Sequence, residues 1–189
     1  GGIDILGRNF HGDMAFITTN ALGQSTGDAG TISVRIDEMI ELLGGGYFSA
    51  STKDAAAGDA GRVLVEAKYL HISDEASIYS QTTDESLGNA GDISVTVSDT
   101  LEISNGGAIT ASTKTIGDAG NISIIAGNFL IDGYVIGGEG EVIASAIEST
   151  TDDSGNAGTI HVDVNSLQIL NKGRIVSTTR ATGNAGQII

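Results

Sequence analysis

Apolar and polar residues alternate in five short segments, each of which follows an Ala-Gly pair. In one of them Ile93, Val95 and Val97 alternate with Ser94 and Thr96. A period of two over five residues predicts a strand with one buried face. The residues predicted to face inward in the five segments are Ile32, Val34, Ile36, Val63, Val65, Ala67, Ile93, Val95, Val97, Ile122, Ile124, Ala126, Ile160, Val162 and Val164.

A second short alternation follows about four residues later, and a third follows a corner rich in glycine and small residues. In one unit the second contains Leu101 and Ile103, and the third contains Ile109, Ala111 and Thr113. The third alternation recurs at Phe48, Ala50, Thr52, Ile78, Ser80, Thr82, Ile147, Ser149, Thr151, Ile175, Ser177 and Thr179. No segment has a helical period, so each unit is predicted to contain three strands and three corners.

The tetrapeptide Gly-(Asp/Asn)-Ala-Gly occurs six times, at successive intervals of 31, 30, 29, 38 and 28 residues. A period near thirty residues indicates a solenoid or a propeller. It is too short for a four-stranded propeller blade, and no Asn-Gly or Asp-Gly pair recurs at a fixed place, as an antiparallel meander requires. The sequence therefore predicts an all-β, right-handed, three-sided parallel β-helix. We expect one domain over residues 1–189, of about six coils and roughly 29 Å in height, open at both ends.

The tetrapeptide is predicted to close one corner of each coil. Glycine adopts positive φ there, Asp or Asn bonds its own backbone, and the small Ala allows successive corners to stack closely. The predicted structural corner residues are Gly27, Gly30, Gly58, Gly61, Gly88, Gly91, Gly117, Gly120, Gly155, Gly158, Gly183 and Gly186.

Composition narrows the classes of partner. Lys and Arg total 9 against 24 Asp and Glu, so the net charge of −15 disfavours nucleic acid as a partner. The absence of cysteine excludes a disulfide scaffold and a thiolate metal site. No signal peptide opens the sequence, and the abrupt start and finish are typical of a segment cut from a longer array.

One repeat unit resembles those of the filamentous haemagglutinin family, in particular its long repetitive members from cyanobacteria and proteobacteria. The unit comprises Gly-Asn-Ala-Gly-Asp-Ile-Ser-Val at 88–95, Leu-Glu-Ile at 101–103 and Gly-Ala-Ile-Thr-Ala-Ser-Thr at 107–113. The resemblance covers essentially the whole chain, although the secretion-signal domain of the family has no separate match here. It implies the shaft of a two-partner secretion exoprotein, which crosses an outer-membrane transporter unfolded and folds into a β-helix outside. The implied location is secreted, at the bacterial cell surface.

Two functions follow as expectations. The first is a structural or adhesive shaft, not an enzyme, whose partners are the transporter, other copies end to end or laterally, and a host, cell or glycan surface. The alternative is a β-helix that binds or cleaves carbohydrate. That alternative requires a groove lined by aromatics and acids. Aromatic residues are only 4% of the chain, and Tyr47, Tyr69, Tyr79 and Tyr134 are predicted to lie on different sides of the coil.

Calcium is the only cofactor for which the sequence offers candidates. Asp28 and Asp59 stack about 5 Å apart at successive corners, where a cation, water or outward rotation relieves their repulsion. The segment Gly-Gly-Glu-Gly-Glu at 137–141 is a single imperfect echo of a calcium-binding nonapeptide. His11, His71 and His161 occupy different places in the repeat, which argues against a metal site. No metal site is assigned.

No residue is assigned a catalytic role. His161, Asp163 and Ser123 share one face, but side chains that alternate on a strand point in parallel, so a solvated polar face is favoured over a triad. The interval of 38 places about eight extra residues within 132–146, predicted to form a lengthened corner or small hairpin, with a binding loop as the alternative. An outward hydrogen-bonding column is predicted at Thr19, Ser51, Gln81, Ser112, Thr150 and Thr178.

Overall fold

A computed structural model describes residues 3–6, 15–83 and 85–189, and His11 lies outside these ranges. Within them the regular structure is entirely β, and no helix is long and apolar enough to cross a membrane. The strands are β1 (Ile3–Leu6), β2 (Phe16–Thr18), β3 (Ile32–Arg35), β4 (Met39–Leu43), β5 (Tyr47–Ser49), β6 (Val63–Ile72), β7 (Ser77–Thr82), β8 (Ile93–Ser104), β9 (Ala108–Thr113), β10 (Ile122–Asp132), β11 (Tyr134–Ile136), β12 (Val142–Ala144), β13 (Ala146–Thr151), β14 (Ile160–Leu170) and β15 (Arg174–Thr179).

Two parallel sheets run along the molecule. Sheet A has the order β1-β4-β6-β8-β10-β14, with β3 also paired to β6, and sheet B has the order β15-β13-β9-β7-β5-β2. Each strand pairs with its counterpart one repeat away, as Ile109 does with Ile78 on one side and Ile147 on the other. The predicted parallel β-solenoid is confirmed, with about five turns.

The first two strands of a coil are joined more closely than the alternation predicted. In four coils they form one long strand (β6, β8, β10 and β14), whereas in an earlier coil β3 and β4 remain separate. The ladder between β6 and β8 shifts register between Ala67 and Tyr69, and that between β10 and β8 shifts between Ala126 and Asn128. Such an irregularity lets a strand bend without ending, so two of the three predicted sides belong to one bent sheet.

The interior is filled by columns of like residues from successive coils. Ile40, Leu70, Leu101 and Phe129 stack in register and are buried. Sheet B contributes a second buried apolar column, which contains Phe48, Ile78, Ile109 and Ile147. Inner hydroxyl residues of sheet B are also buried, at Thr52, Ser80, Thr82, Thr113, Ser149 and Thr151. The inward positions predicted from alternation are therefore confirmed in the middle coils. Towards the ends the predicted inward residues are only half-buried, as at Ile36, Val162, Val164, Ile175, Ser177 and Thr179. Each coil buries its apolar face against its neighbours.

The corner between β4, β6, β8 or β14 and the following strand of sheet B is a turn of two residues with positive φ. Its closing hydrogen bond runs from the residue after the pair to the residue before it, as from Gly107 N to Ser104 O at 2.8 Å and from Ala76 N to Ser73 O at 3.1 Å. The sequence contains no recurrent Asn-Gly or Asp-Gly pair because four different pairs adopt this turn. They are Gly44-Gly45, Asp74-Glu75, Asn105-Gly106 and Asn171-Lys172.

Candidate functional site

The tetrapeptide corners stack so closely that a side chain has no room. A Cβ on Gly91 would overlap the carbonyl oxygen of Gly61, and one on Gly120 would overlap that of Gly91. Positive φ is found only at Gly155 and Gly183 among the predicted corner glycines. The predicted conformational reason is therefore wrong for the others, and steric exclusion replaces it at all of them except Gly27 and Gly30. The glycines with such an overlap are Gly58, Gly61, Gly88, Gly91, Gly117, Gly120, Gly155, Gly158, Gly183 and Gly186.

The second residue of each tetrapeptide forms a ladder along the rod. Asp59 N donates to Asp28 Oδ1 at 2.9 Å, and Asn89 N donates to Asp59 Oδ1 at 2.7 Å. The ladder continues through Asp118 and Asn156 to Asn184. These side chains thus bond the backbone of the next coil rather than their own. Backbone N–H groups already bond the calcium candidates Asp28 and Asp59, and the described residues contain no group of three His, Asp or Glu able to hold a metal ion.

A column of inner serines fastens the same corner to sheet B. Ser80 Oγ donates to Gly61 O at 2.7 Å and accepts from Gly91 N at 2.9 Å, so one hydroxyl bridges two successive corners. Ser149 Oγ does the same with Gly120 O at 2.8 Å and Gly158 N at 2.9 Å. The alternation predicted these inward serines but not their glycine partners.

The outward column of sheet B begins one residue later than predicted. Thr19 Oγ1 donates to Gly30 O at 2.7 Å, which places Thr19 in the inner serine column. Asn20 takes the outward place, because its Oδ1 accepts from Ser51 N at 2.9 Å. Further along, Thr150 N donates to Ser112 Oγ at 3.1 Å. The column is a hydrogen-bonded ladder, but Ser51, Ser112 and Thr150 are buried rather than solvated.

Three aromatic rings stack on the outer face of sheet B. Phe16 and Tyr47 have ring centroids 5.2 Å apart at 10°, and Tyr47 and Tyr79 are 5.4 Å apart at 33°. The prediction that Tyr47 and Tyr79 lie on different sides is therefore wrong, while Tyr69 lies on sheet A and Tyr134 on the hairpin. Burial raises the pKa of Tyr79, against a smaller lowering by its hydrogen bond with Ser49. Because the rings face one another, a sugar ring meets mostly their edges.

A groove of about 430 Å³ lies on the outer face of sheet A. Its floor is formed by the small side chains of Ser94 and Ser123, which lie between the larger Leu64 and His161. Along one side runs a second ladder, in which Arg62 pairs with Asp92, Asn121 N donates to Asp92, and Thr159 N donates to Asn121.

The structure does not assemble the Ser-His-Asp combination as a catalytic triad. Ser123 and His161 are register partners, but Asp163 lies two positions further along β14, opposite Ile125. Among the described residues no hydrogen bond joins His161 to Ser123 or Asp163. The parallel arrangement expected of alternating strand residues is what the register shows.

His71 links three successive coils on sheet A. Its Nδ1 lies 3.7 Å from Glu41 Oε1, its Nε2 lies 3.8 Å from Glu102 Oε1, and Nε2 is 3.1 Å from Ser104 Oγ. The two ring nitrogens face different carboxylates, so they do not converge on one point. Sequence reasoning missed this cluster because only the register between coils places Glu41 and Glu102 on either side of His71.

The extra residues within 132–146 form a hairpin, which is one of the structures that the sequence predicts for this segment. β11 and β12 pair antiparallel, with Val135 opposite Ile143. Gly137 N donates to Glu141 O at 2.9 Å, and Glu139 N donates to Glu141 Oε2 at 3.0 Å. The carboxylate in the calcium-like segment therefore closes its own loop.

In comparison with known proteins, no family model, curated protein or solved structure matches this chain. Its function is therefore argued from the geometry. Two kinds of feature are available for that argument. The first is the set of hydrogen-bonded ladders that join one coil to the next, and the second is the pair of outward features, the groove on sheet A and the hairpin.

Proposed function

We propose that this chain is part of the shaft of a secreted bacterial surface protein of the filamentous haemagglutinin-like kind, which supports attachment to surfaces and other cells. The observation that carries the proposal is the continuity of the ladders. Strand hydrogen bonds, the Asp/Asn column and the serine column all join each coil to the next. Stiffness along the axis follows because every coil is held by its neighbours.

The composition supports folding after export. The chain has no cysteine and no proline, so neither disulfide formation nor X-Pro isomerisation slows folding outside the cell. Contacts between neighbouring repeats let coils add one after another from the first that forms. The net charge of −15 favours solubility of the chain.

A second candidate function is carbohydrate binding, and the groove on sheet A favours it. Its volume of about 430 Å³ falls in the range of small-molecule sites. It combines an apolar wall at Leu64 with polar groups of Asn121, Ser123 and His161, the mixture that a sugar with apolar and hydroxylated faces requires. The aromatic stack adds little to this candidate, because Phe16, Tyr47 and Tyr79 cover the faces that they turn towards one another.

The shaft proposal is tested on intact bacteria that make the full protein. Antibodies raised against residues 1–189 should label the outside of unpermeabilised cells, at a distance from the outer membrane, and deletion of the gene should reduce adhesion. Labelling only after permeabilisation, or unchanged adhesion, would contradict it. Glycan-array binding that Asn121→Ala abolishes and Ser33→Ala leaves intact would instead favour the carbohydrate candidate.

A further inference from the structure

The hairpin formed by β11 and β12 presents one uncovered apolar face. Tyr134, Ile136 and Val142 are 40%, 60% and 45% exposed. Directly opposite residues of an antiparallel pair share a face, so Ile136 and Val142 lie side by side. The other face, with Val135 and Ile143, rests on the corner of the preceding coil, where a Cβ on Gly106 would lie 2.9 Å from Val135 Cγ2. The hairpin therefore has an inner face supported by the solenoid and an outer face that is exposed at Ile136 and Val142, while Ala144, opposite Tyr134, is buried.

The tip of this hairpin is acidic, whereas its base carries a lysine beside Asp132, whose Oδ1 accepts from Asn171 Nδ2 at 2.7 Å. Lys172 lies at its base, with Nζ 4.4 Å from the centroid of the Tyr134 ring. Glu139 and Glu141 lie in the loop at its tip. The four residue-to-residue steps from Tyr134 to Gly138 span roughly 13 Å, so base and tip are well separated.

We propose that the outer face of this hairpin binds the same face of a second copy of the chain, in an antiparallel pair related by a twofold axis. Such an interface is isologous, so one self-complementary patch serves both partners. Antiparallel placement brings Glu139 and Glu141 of each copy to Lys172 of the other. A parallel placement would set like charges together, which selects the antiparallel arrangement.

The size of the patch sets the strength of the association, and its charge limits the kind of partner. Three large side chains from each copy cover less than a standard interface, so a single hairpin pair is a weak contact. The acidic tip and the net charge of −15 oppose binding to an anionic lipid surface. The pair holds two solenoids side by side. It goes beyond the shaft proposal and needs neither export nor attachment.

The absence of cysteine from the chain permits a direct test by disulfide capture. Ile136→Cys places one thiol in the proposed contact, and Leu87→Cys places one at a similarly exposed position, 59% against 60%, on another corner. Under mild oxidation at physiological ionic strength, Ile136→Cys should form a covalent dimer at least tenfold faster than Leu87→Cys. Equal rates would overturn the proposal.

Charge reversal tests the antiparallel arrangement in the otherwise native chain. In sedimentation equilibrium, Lys172→Glu should weaken dimerisation about tenfold. Adding Glu139→Lys and Glu141→Lys to that variant should restore dimerisation. A wild-type chain that stays monomeric at every concentration, or a triple variant that is not restored, would overturn the pairing. Surface labelling and adhesion of the bacteria are separate measurements, so the shaft proposal and this one fail independently.

Discussion

Two corners of each coil differ in what stays constant along the solenoid. The first corner is the tetrapeptide, and the second is the two-residue turn that precedes a strand of sheet B. At the first, the residues are nearly constant and most glycines have ordinary φ, because the backbone of one coil touches that of the next. At the second, the conformation is constant, but the paired residues range from Gly44-Gly45 to Asp74-Glu75.

The difference shows what a repeat motif records. From Gly58 onward, the two glycines of the tetrapeptide recur where any side chain would collide with the neighbouring backbone, and no alternative residue avoids that collision. A left-handed turn costs a non-glycine residue roughly 1–2 kcal/mol, which a stacked array tolerates. The recurring glycines of this chain thus mark steric contact between coils, whereas the positive-φ turn recurs without a recurring residue.

The largest expected effect is at a buried first corner. Gly91→Ala forces a methyl group into the carbonyl oxygen of Gly61, so we expect the free energy of unfolding to fall by more than about 4 kcal/mol. Gly27→Ala is the matched control, since a Cβ there meets nothing within 4 Å. Urea denaturation followed by circular dichroism measures both. Similar stabilities for the two variants would remove the steric explanation.

The serine that fastens the first corner comes next. Ser149→Ala leaves Gly158 N–H and Gly120 O without their buried partner, which should cost about 1–3 kcal/mol. Alanine itself fits this column, because Ala111 occupies it in the adjacent coil. Ser33→Ala, on an exposed strand position, should change stability by less than about 0.5 kcal/mol. A neutral Ser149→Ala would show that stacking alone holds the corner.

At the second corner, a glycine should help rather than be indispensable. Glu75 has φ of 63°, so Glu75→Gly relieves a left-handed conformation and should stabilise the chain by up to about 1 kcal/mol. Thr96→Gly, within β8, should instead destabilise it by about 0.5–1 kcal/mol. Thermal unfolding of the two variants gives the sign of each change. Loss of stability in Glu75→Gly would contradict the account of this turn.

The smallest effect is expected in the Asp/Asn ladder. Asp59→Asn keeps the acceptor for Asn89 N, so stability should change by less than about 0.5 kcal/mol, with and without added calcium. Asp59→Ala removes the acceptor and should be the less stable of the two. A melting temperature that calcium raises in the wild type but not in Asp59→Asn would assign a metal to this corner.

Alternation was sufficient to predict which residues face inward, because Ile109 and Ala111 lie one period apart on one strand. It could not place Tyr79 beside Tyr47, since that contact runs diagonally between coils and depends on register. It also misplaced Thr19 by one residue, because the register that pairs Thr18 with Ser49 sets Asn20, not Thr19, beside Ser51. The reason for the corner glycines is a distance between coils, which no single unit of the sequence contains.

Continuous stacking of coils is the central claim, and cryo-electron microscopy of the native full-length protein tests it most directly. We predict unbranched rods much longer than roughly 29 Å, with a layer spacing of about 4.8 Å along the axis. Compact particles without that spacing would contradict both the stacked solenoid and the shaft proposed from it.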